Sequence, residues 1–390
     1  MKLIKLSLVG ISILSLSTNV FSADSLTDAF KEGKVNGQLK SYFIDTAYNG
    51  TQSDKDAFAI GGILKYTTGD FKGFSAGFGF QTSHTLGFDH ETGDSKVDDT
   101  TVSIQETLLS EAYLAYKYKK TTVRIGRTFI KTPLVANSGS RLLKDYFTGA
   151  LVTNKSLKNT TIVAGYITDW TSRNNASTHF DSPVYTLYAN TKIANFTITA
   201  QAVFNDSVSS GTEDGTKDYY LETTYKLPVS TPVTLGAQYI GYENDADSSK
   251  DSSVYGIKAE IKLSGFALGA YYNSTDDDGT VRGGVGTAKD PSYNDLYTIS
   301  GTKAGTKSYQ GKVSYNFAEV GIKGLKAMTR YAVYNDYGND GIDANSLDMD
   351  ISYAFSGSLK GLFGQVIYAM TEIDNADDFN HLRLKLNYKF

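Results

Sequence analysis

The chain has 390 residues, no cysteine, 5 prolines, 37 glycines, 28 tyrosines and 20 phenylalanines, and a formal charge of −4. The absence of cysteine excludes a disulfide scaffold, a thiolate metal centre and a cysteine nucleophile; the small net charge gives no whole-chain basic footprint for nucleic acid. No stretch beyond the N-terminal leader stays apolar for ~18 residues, which excludes helical membrane spans, and the aromatic and glycine excess with little proline is a β-rich composition.

The chain opens with an export signal. Lys2 and Lys5 form a positive region, Leu6 to Leu16 an apolar core too short to span a bilayer as a helix, and Phe21-Ser22-Ala23 a small-residue cleavage site. Residues 1–23 therefore read as a secretory signal peptide and 24–390 as the mature chain. The segment from Leu26 to Glu32 suits one helical turn.

From there the sequence alternates with period two, the pattern of strands with one apolar face. Phe58, Ile60, Gly62, Leu64 and Tyr66 oppose Ala59, Gly61, Ile63 and Lys65. Phe74, Ala76, Phe78 and Phe80 oppose Ser75, Gly77, Gly79 and Gln81. Ala112, Leu114, Tyr116 and Tyr118 oppose Glu111, Tyr113, Ala115 and Lys117. The end is clearest: His381, Arg383, Lys385, Asn387 and Lys389 alternate with Leu382, Leu384, Leu386, Tyr388 and Phe390.

The connections also alternate. Short turns such as Lys119–Lys120 and Ser264–Gly265 are interleaved with longer polar segments such as Thr85–Leu108, Thr171–Ser182, Ser274–Lys307 and Ile373–Asn380; nine long and eight short connections join eighteen strands. All five prolines are expected in connections or at a strand's first residue, as a fully paired sheet demands. Strands of ~10 residues cross a bilayer when tilted. Only helices or a closed barrel satisfy the backbone in hydrocarbon. An even strand count with short turns on one rim and long loops on the other is the outer-membrane pattern. The expected fold is all-β: a transmembrane antiparallel β-barrel of 18 strands. Tyr66, Tyr116, Tyr118, Tyr188, Tyr225, Tyr353 and Tyr388 are expected in its interfacial girdles.

A barrel this wide encloses water by default. Lys40, Lys65, Lys117, Arg124, Lys226, Lys258, Arg330, Arg383 and Lys385 take the inward parity, as do Glu111, Glu222, Glu260, Asp348 and Asp350. Rows of one sign concentrate the opposite ion. The segment Phe129–Lys144 mixes Ile130, Leu134, Val135, Leu142 and Leu143 with Lys131 and Arg141, which is too apolar for an exposed loop. It suits a loop folded inward to narrow the pore. Arg127 has the parity of lipid-facing Val123 and Ile125, so it either sits at headgroup level or is turned inward by a bulge, the latter being favoured.

Other motifs carry little chemistry. His84 and His90 with Asp89 and Glu91 read as a solvated loop rather than a metal site. Asp276-Asp277-Asp278-Gly279 lacks the spacing of a calcium loop. Gly301 to Lys307 lacks that of a phosphate loop. His381 is expected to be the only strand histidine and has no assignable nucleophile, so the chain reads as a non-enzyme. No cofactor is implied.

One set of motifs runs through Asp28-Ala29-Phe30-Lys31-Glu32-Gly33-Lys34, Lys72-Gly73-Phe74-Ser75, Glu111-Ala112-Tyr113-Leu114, Arg124-Ile125-Gly126-Arg127, Thr132-Pro133-Leu134, Ser140-Arg141-Leu142-Leu143 and Phe147-Thr148-Gly149. In these the sequence resembles the OprD-type substrate-specific outer-membrane porins. The resemblance implies that Phe129–Lys144 is the constriction loop and that Arg141 is one rung of a basic ladder guiding carboxylates. Arg124, Arg383 and Lys385 are further candidates for that ladder, and Arg127 and Lys131 complete the set of basic constriction candidates. It implies that Ser274–Lys307 contributes to the eyelet, and that the solutes are small carboxylates such as amino acids and aromatic acids. The chain departs from the family pattern at Lys144-Asp145, where proline is usual, and at Thr148, where the family often has glutamate.

The expectation is thus a passive diffusion channel in the outer membrane of a Gram-negative bacterium. Its expected partners are small solutes, outer-membrane lipid and lipopolysaccharide, and the barrel-assembly machinery, which would read Tyr388 and Phe390. No nucleic-acid partner is expected; monomer and homotrimer stay open. The alternatives are a general non-selective porin and a surface adhesin working through Thr85–Leu108 and Ser274–Lys307.

Overall fold

The computed structural model describes residues 23–85, 102, 104–206, 215–245, 251–281, 283–287 and 291–390. Residues 1–22 of the expected signal peptide, and Asp89, His90 and Glu91 with most of the first adhesin loop, lie outside the described residues.

One short helix, α1 (Leu26–Lys31), precedes eighteen strands. These are β1 (Lys34–Asn49), β2 (Lys55–Thr67), β3 (Phe74–His84), β4 (Glu106–Tyr118), β5 (Thr121–Thr128), β6 (Tyr146–Asn154), β7 (Thr160–Thr171), β8 (Ser177–Ile193) and β9 (Phe196–Asn205). The second half comprises β10 (Thr216–Lys226), β11 (Val233–Asn244), β12 (Ser252–Leu263), β13 (Phe266–Thr275), β14 (Lys307–Asn316), β15 (Leu325–Asn335), β16 (Ala344–Ala354), β17 (Leu362–Ile373) and β18 (Asp378–Lys389). Each strand pairs antiparallel with its sequence neighbours, and β1 also pairs with β18 from Gln38↔Lys389 to Asn49↔Asp378. The sheet is a closed 18-stranded barrel, so no strand edge is left for hydrocarbon to meet. The last residue takes part in the closure: Gly37 and Phe390 exchange backbone hydrogen bonds of 3.0 and 3.1 Å.

The helix forms where expected. Ser25 caps it by accepting from the Asp28 amide at 3.1 Å, and Gly69 donates to the Ala29 carbonyl at 2.7 Å, which holds α1 against the β2–β3 turn at the short-turn rim.

The pleat sorts the side chains by solvent. Leu64, Leu114, Ile125, Leu187, Ile257 and Leu386 stand exposed on the outer face. Aromatic pairs form two belts. Phe74–Tyr116, Phe196–Tyr225 and Phe266–Tyr315 lie toward the short turns, and Tyr166–Tyr185, Tyr239–Tyr255 and Tyr272–Tyr309 toward the long loops. Tyr188 departs from the expected girdle. It alternates with exposed Tyr185 and Leu187, points inward and is 1% exposed.

Three further expectations are corrected. The β7–β8 and β17–β18 connections are short, because the strands run on into the polar segments and leave only residues 172–176 and 374–377 as turns. This places Pro183 inside β8. It sits where the β7–β8 register breaks between Ile167 and Asp169, so its missing N–H leaves no ladder bond unmade. His381 shares its strand status with His84 in β3 and His179 in β8.

Candidate pore constriction

The segment between β5 and β6 leaves the wall and crosses the lumen. Its root is marked by Gly126, whose φ of +122° only glycine adopts without strain, facing Gly149 across the ladder. The first limb is a small hairpin. Lys131 bridges Ala136, and Thr132 and Asn137 donate to the carbonyls of Val135 and Ile130. Its tip is pinned to the inner wall by Gln201 on β9, which accepts from the Leu134 amide at 2.8 Å and donates to Thr132 Oγ1 at 2.9 Å. Ile130, Leu134 and Val135 then bury against Phe147, Ile167, Val184, Val203, Ile240 and Val285 in an apolar core inside the barrel.

The second limb returns across the pore. Lys40 on β1 donates to the backbone carbonyls of Arg141 and Leu142 at 3.2 and 2.8 Å. Leu142 packs with Tyr42, Ile44, Ala57 and Ala59. Gln81 on β3 exchanges two bonds with the Lys144 backbone, at 2.8 and 2.9 Å. The loop is thereby tied to β9 on one side and to β1 and β3 on the other, which fixes its path across the opening.

The β13–β14 segment lies on it from the other side. Val285 exchanges backbone bonds with Leu134 and Ala136 in a parallel bridge. The Asp145 carboxylate accepts from the Thr287 amide at 2.6 Å and hydroxyl at 2.7 Å. Burial raises the Asp145 carboxyl above its usual range, and the two Thr287 bonds oppose that rise. Burial also holds the neighbouring Lys144 ammonium below its usual range. Further on, the same segment follows the inner wall. Gln238 bonds the Pro291 carbonyl, Tyr293 bonds Glu222, Arg330 bonds the Asp295 carbonyl, and Thr298 bonds Thr371.

The charged groups fall into two kinds. Three cations are paired across the pleat: Lys65 with Glu111 at 2.7 Å, Lys258 with Glu222 at 2.8 Å, and Arg330 with Asp348 at 2.8 Å. Lys40 and Lys385, on the β1–β18 seam, have no carboxylate within ion-pair distance among the described residues. Lys385 instead lies 5.2 Å from the Tyr42 ring centre. Arg141 lies at this seam: its carbonyl takes the Lys40 bond, and Leu142 beside it packs on Tyr42, the ring that Lys385 faces. Arg383 donates to His381 Nε2 at 2.5 Å and to the Tyr297 carbonyl at 3.0 Å. With Nε2 accepting, His381 donates a hydrogen bond from Nδ1–H to Thr46 Oγ1.

The structure thus brings Arg141, Arg383 and Lys385 together with Lys40, and it places the other candidates elsewhere. Arg124 bonds Thr128 at 3.1 Å and sits 4.2 Å over Tyr113, in the cluster of Lys65 and Glu111. Lys131 is exposed on the hairpin limb. Arg127 keeps the outward parity. The β4–β5 register runs unbroken from Ala112↔Arg127 to Tyr118↔Thr121, and the bulges lie in neighbouring strands, at Gly79/Phe80 and Thr148/Gly149. Arg127 bonds the Leu109 carbonyl at 2.7 Å and covers Tyr146 at 4.9 Å. Tyr388 and Phe390 are exposed on the outer face with stacked rings 6.0 Å apart. Sequence reasoning missed Gln81, Gln201, Tyr297 and Thr287. The pleat parity marks the two glutamines as inward, but nothing in the pattern marks what they hold.

Comparison with known proteins gives the same architecture. The family model described as outer membrane porin, OprD family, matches residues 28–390. Porin D of Pseudomonas aeruginosa is 23% identical over 444 residues, covering 100% of this chain and 99% of that protein. The crystal structure of P. aeruginosa OccK9 (OpdG) superposes with a TM-score of 0.82 at 18% identity, covering 93% of this chain and 99% of that one. That of P. aeruginosa OpdK with vanillate gives 0.79 at 18% identity, with the same coverage of 93% and 99%. With a closed 18-stranded barrel, an inward loop across its lumen and a family match over nearly the whole length, the chain belongs to the OprD family of outer-membrane porins.

Proposed function

We propose that this porin is a passive channel for small carboxylate-bearing solutes, among them amino acids and organic or aromatic acids. The observation that carries the reading is the crossing loop's delivery of Arg141 to the β1–β18 seam, where Lys40 holds its carbonyl and where Lys385, over the Tyr42 ring on which Leu142 packs, has no carboxylate within ion-pair distance among the described residues. Cations in a narrow, partly dehydrated passage attract and orient anionic solutes. The part-exposed Tyr297 ring beside Arg383 offers aromatic surface against which an aromatic acid packs while its carboxylate meets the guanidinium. That the related OpdK was solved with vanillate, an aromatic carboxylate, supports the same class.

The test is planar-bilayer current in the presence of benzoate, small amino acids and uncharged sugars. Saturable block by the carboxylates alone supports the proposal. Indifference to all of them supports a general porin, and an absence of current from a well-folded barrel supports the adhesin alternative. In this reading the leader is removed on export across a Gram-negative envelope. Outer-membrane lipid and lipopolysaccharide surround the barrel, and Tyr388 with Phe390 serves as the assembly signal. Surface levels of a Phe390-deleted variant equal to wild type would remove that last role. Cross-linking in the native membrane decides between monomer and homotrimer.

A further inference from the structure

The short-turn mouth of the barrel is nearly one-signed. Lys34 opens β1 and Lys326 is the second residue of β15. Lys117, Lys192, Lys226, Lys262 and Lys389 are the last or next-to-last residues of β4, β8, β10, β12 and β18. All of these lysines are exposed, and none makes an ion pair among the described residues. No strand has an aspartate or glutamate among its two residues nearest this rim. The turns add further lysines, such as Lys155, Lys158 and Lys360. The acids of the rim, Asp24, Asp28, Glu32, Asp70 and Glu319, all lie in the N-terminal segment or the turns.

The pleat decides what the strand lysines serve. Their strand neighbours Val35, Tyr118, Ile193, Leu263 and Tyr388 are exposed on the outer face, where apolar and aromatic side chains meet lipid. Alternation turns the lysines the other way, toward the opening. A lysine placed to serve the headgroups would share the parity of those neighbours. The first inward acids above the collar on β10 and β12 are engaged: Glu222 by Lys258 at 2.8 Å, and Glu260 by the Tyr271 hydroxyl at 2.6 Å. Exposed acids stand instead on the long-loop rim, as at Asp54, Asp276, Asp277, Asp278, Asp340 and Asp374. The two mouths of one passage therefore differ in charge.

Lys226 and Lys262 stand two strands apart, a sideways spacing of about 10 Å. A single exposed ammonium holds an anion weakly. Several at this spacing act together on a ligand that carries several negative charges. We infer that the short-turn mouth is a second anion site, a lysine collar that takes multivalent anions, oligophosphates or polycarboxylates, from the periplasmic side. The collar does not include Arg141, so it stands whether or not small carboxylates engage the constriction.

The experiment adds inorganic tripolyphosphate first to one side of a single channel and then to the other, in about 0.1 M KCl, where the Debye length is about 10 Å. The collar variant combines Lys226→Gln, Lys262→Gln and Lys326→Gln. The control, with the same loss of charge, combines Lys155→Gln, Lys158→Gln and Lys360→Gln in the turns. Each is checked for heat-modifiable gel mobility. Wild type is expected to be half-blocked from one side at about a tenfold lower concentration than from the other. That difference should vanish in about 1 M KCl, where the Debye length is about 3 Å. The collar variant should lose the sidedness, while the turn variant and Arg141→Ala should keep it. Equal block from both sides, or none from either, would overturn the inference. So would sidedness lost as fully in the turn variant, which would assign the effect to rim charge at large, or sidedness lost in Arg141→Ala, which would assign it to the constriction. A wild-type channel that benzoate does not block defeats the solute proposal and leaves this test readable.

Discussion

The rows around Lys65, Lys258 and Arg330 and the seam around Lys40 and Lys385 are built from the same residue types at the same pleat parity, yet they hold charge differently. In the first, each cation meets a carboxylate on a nearby strand, and Asp348 is fully buried beneath Arg330. In the second, Lys40 is spent on two loop carbonyls and Lys385 faces a tyrosine ring. The comparison shows that inward parity alone does not define a pore-lining charge. A paired cation is offset by the acid it touches, whereas Lys40 and Lys385, though buried, touch no carboxylate among the described residues and keep more of their field for the passage. The division follows strand neighbours: β16 supplies acids to β15, but β1 and β18 supply none to each other.

Breaking a pair should therefore cost stability, and breaking the seam should cost selectivity. The largest stability effect is expected for Arg330→Ala, which leaves buried Asp348 with the Tyr297 amide and Ser346 as its partners among the described residues; a loss of about 3–5 kcal/mol is expected, read as a lower urea midpoint for the gel-mobility transition. Lys385→Glu should leave that midpoint nearly unchanged but weaken carboxylate block roughly tenfold, equivalent to about 1.4 kcal/mol. An equal stability loss in both variants would erase the distinction between wall and seam.

Lys40→Met sharpens the comparison from the loop's side. It removes the donor to the Arg141 and Leu142 carbonyls, a local cost of about 1–3 kcal/mol, and should appear as added flicker in single-channel records rather than as unfolding. The smallest effect concerns Asp145. The Thr287 bonds oppose the rise that burial gives its carboxyl. Thr287→Val should move that carboxyl further up, so any acid-induced change in current should set in at a higher pH than in wild type. A shift to lower pH, or none, would mean that Thr287 does not hold this carboxylate.

The barrel was readable in the sequence because a membrane leaves the chain few choices. Every strand must alternate, and every turn must fall between alternating runs, as at Lys119–Lys120 and Ser264–Gly265. The ends were less readable. β8 begins at Ser177, and Pro183 lies inside it, because pairing continues above the apolar belt where alternation no longer carries a signal. The constriction was legible as composition, since Leu134, Val135 and Leu142 have no place in an exposed loop. Its path was not. Leu142 meets Lys40 across 102 positions and Leu134 meets Gln201 across 67, contacts that no local period encodes. Arg127 shows the opposite case, where simple parity holds and no bulge intervenes.

The central claim is that the crossing loop brings Arg141 to the seam in order to engage carboxylates. Its most direct test is benzoate titration of single-channel current, comparing wild type with Arg141→Ala and with Lys65→Ala as the paired-wall control. The account predicts saturable block in wild type, loss of saturation in Arg141→Ala and retained block in Lys65→Ala. Block that survives unchanged in Arg141→Ala, or that is lost equally in Lys65→Ala, would contradict it.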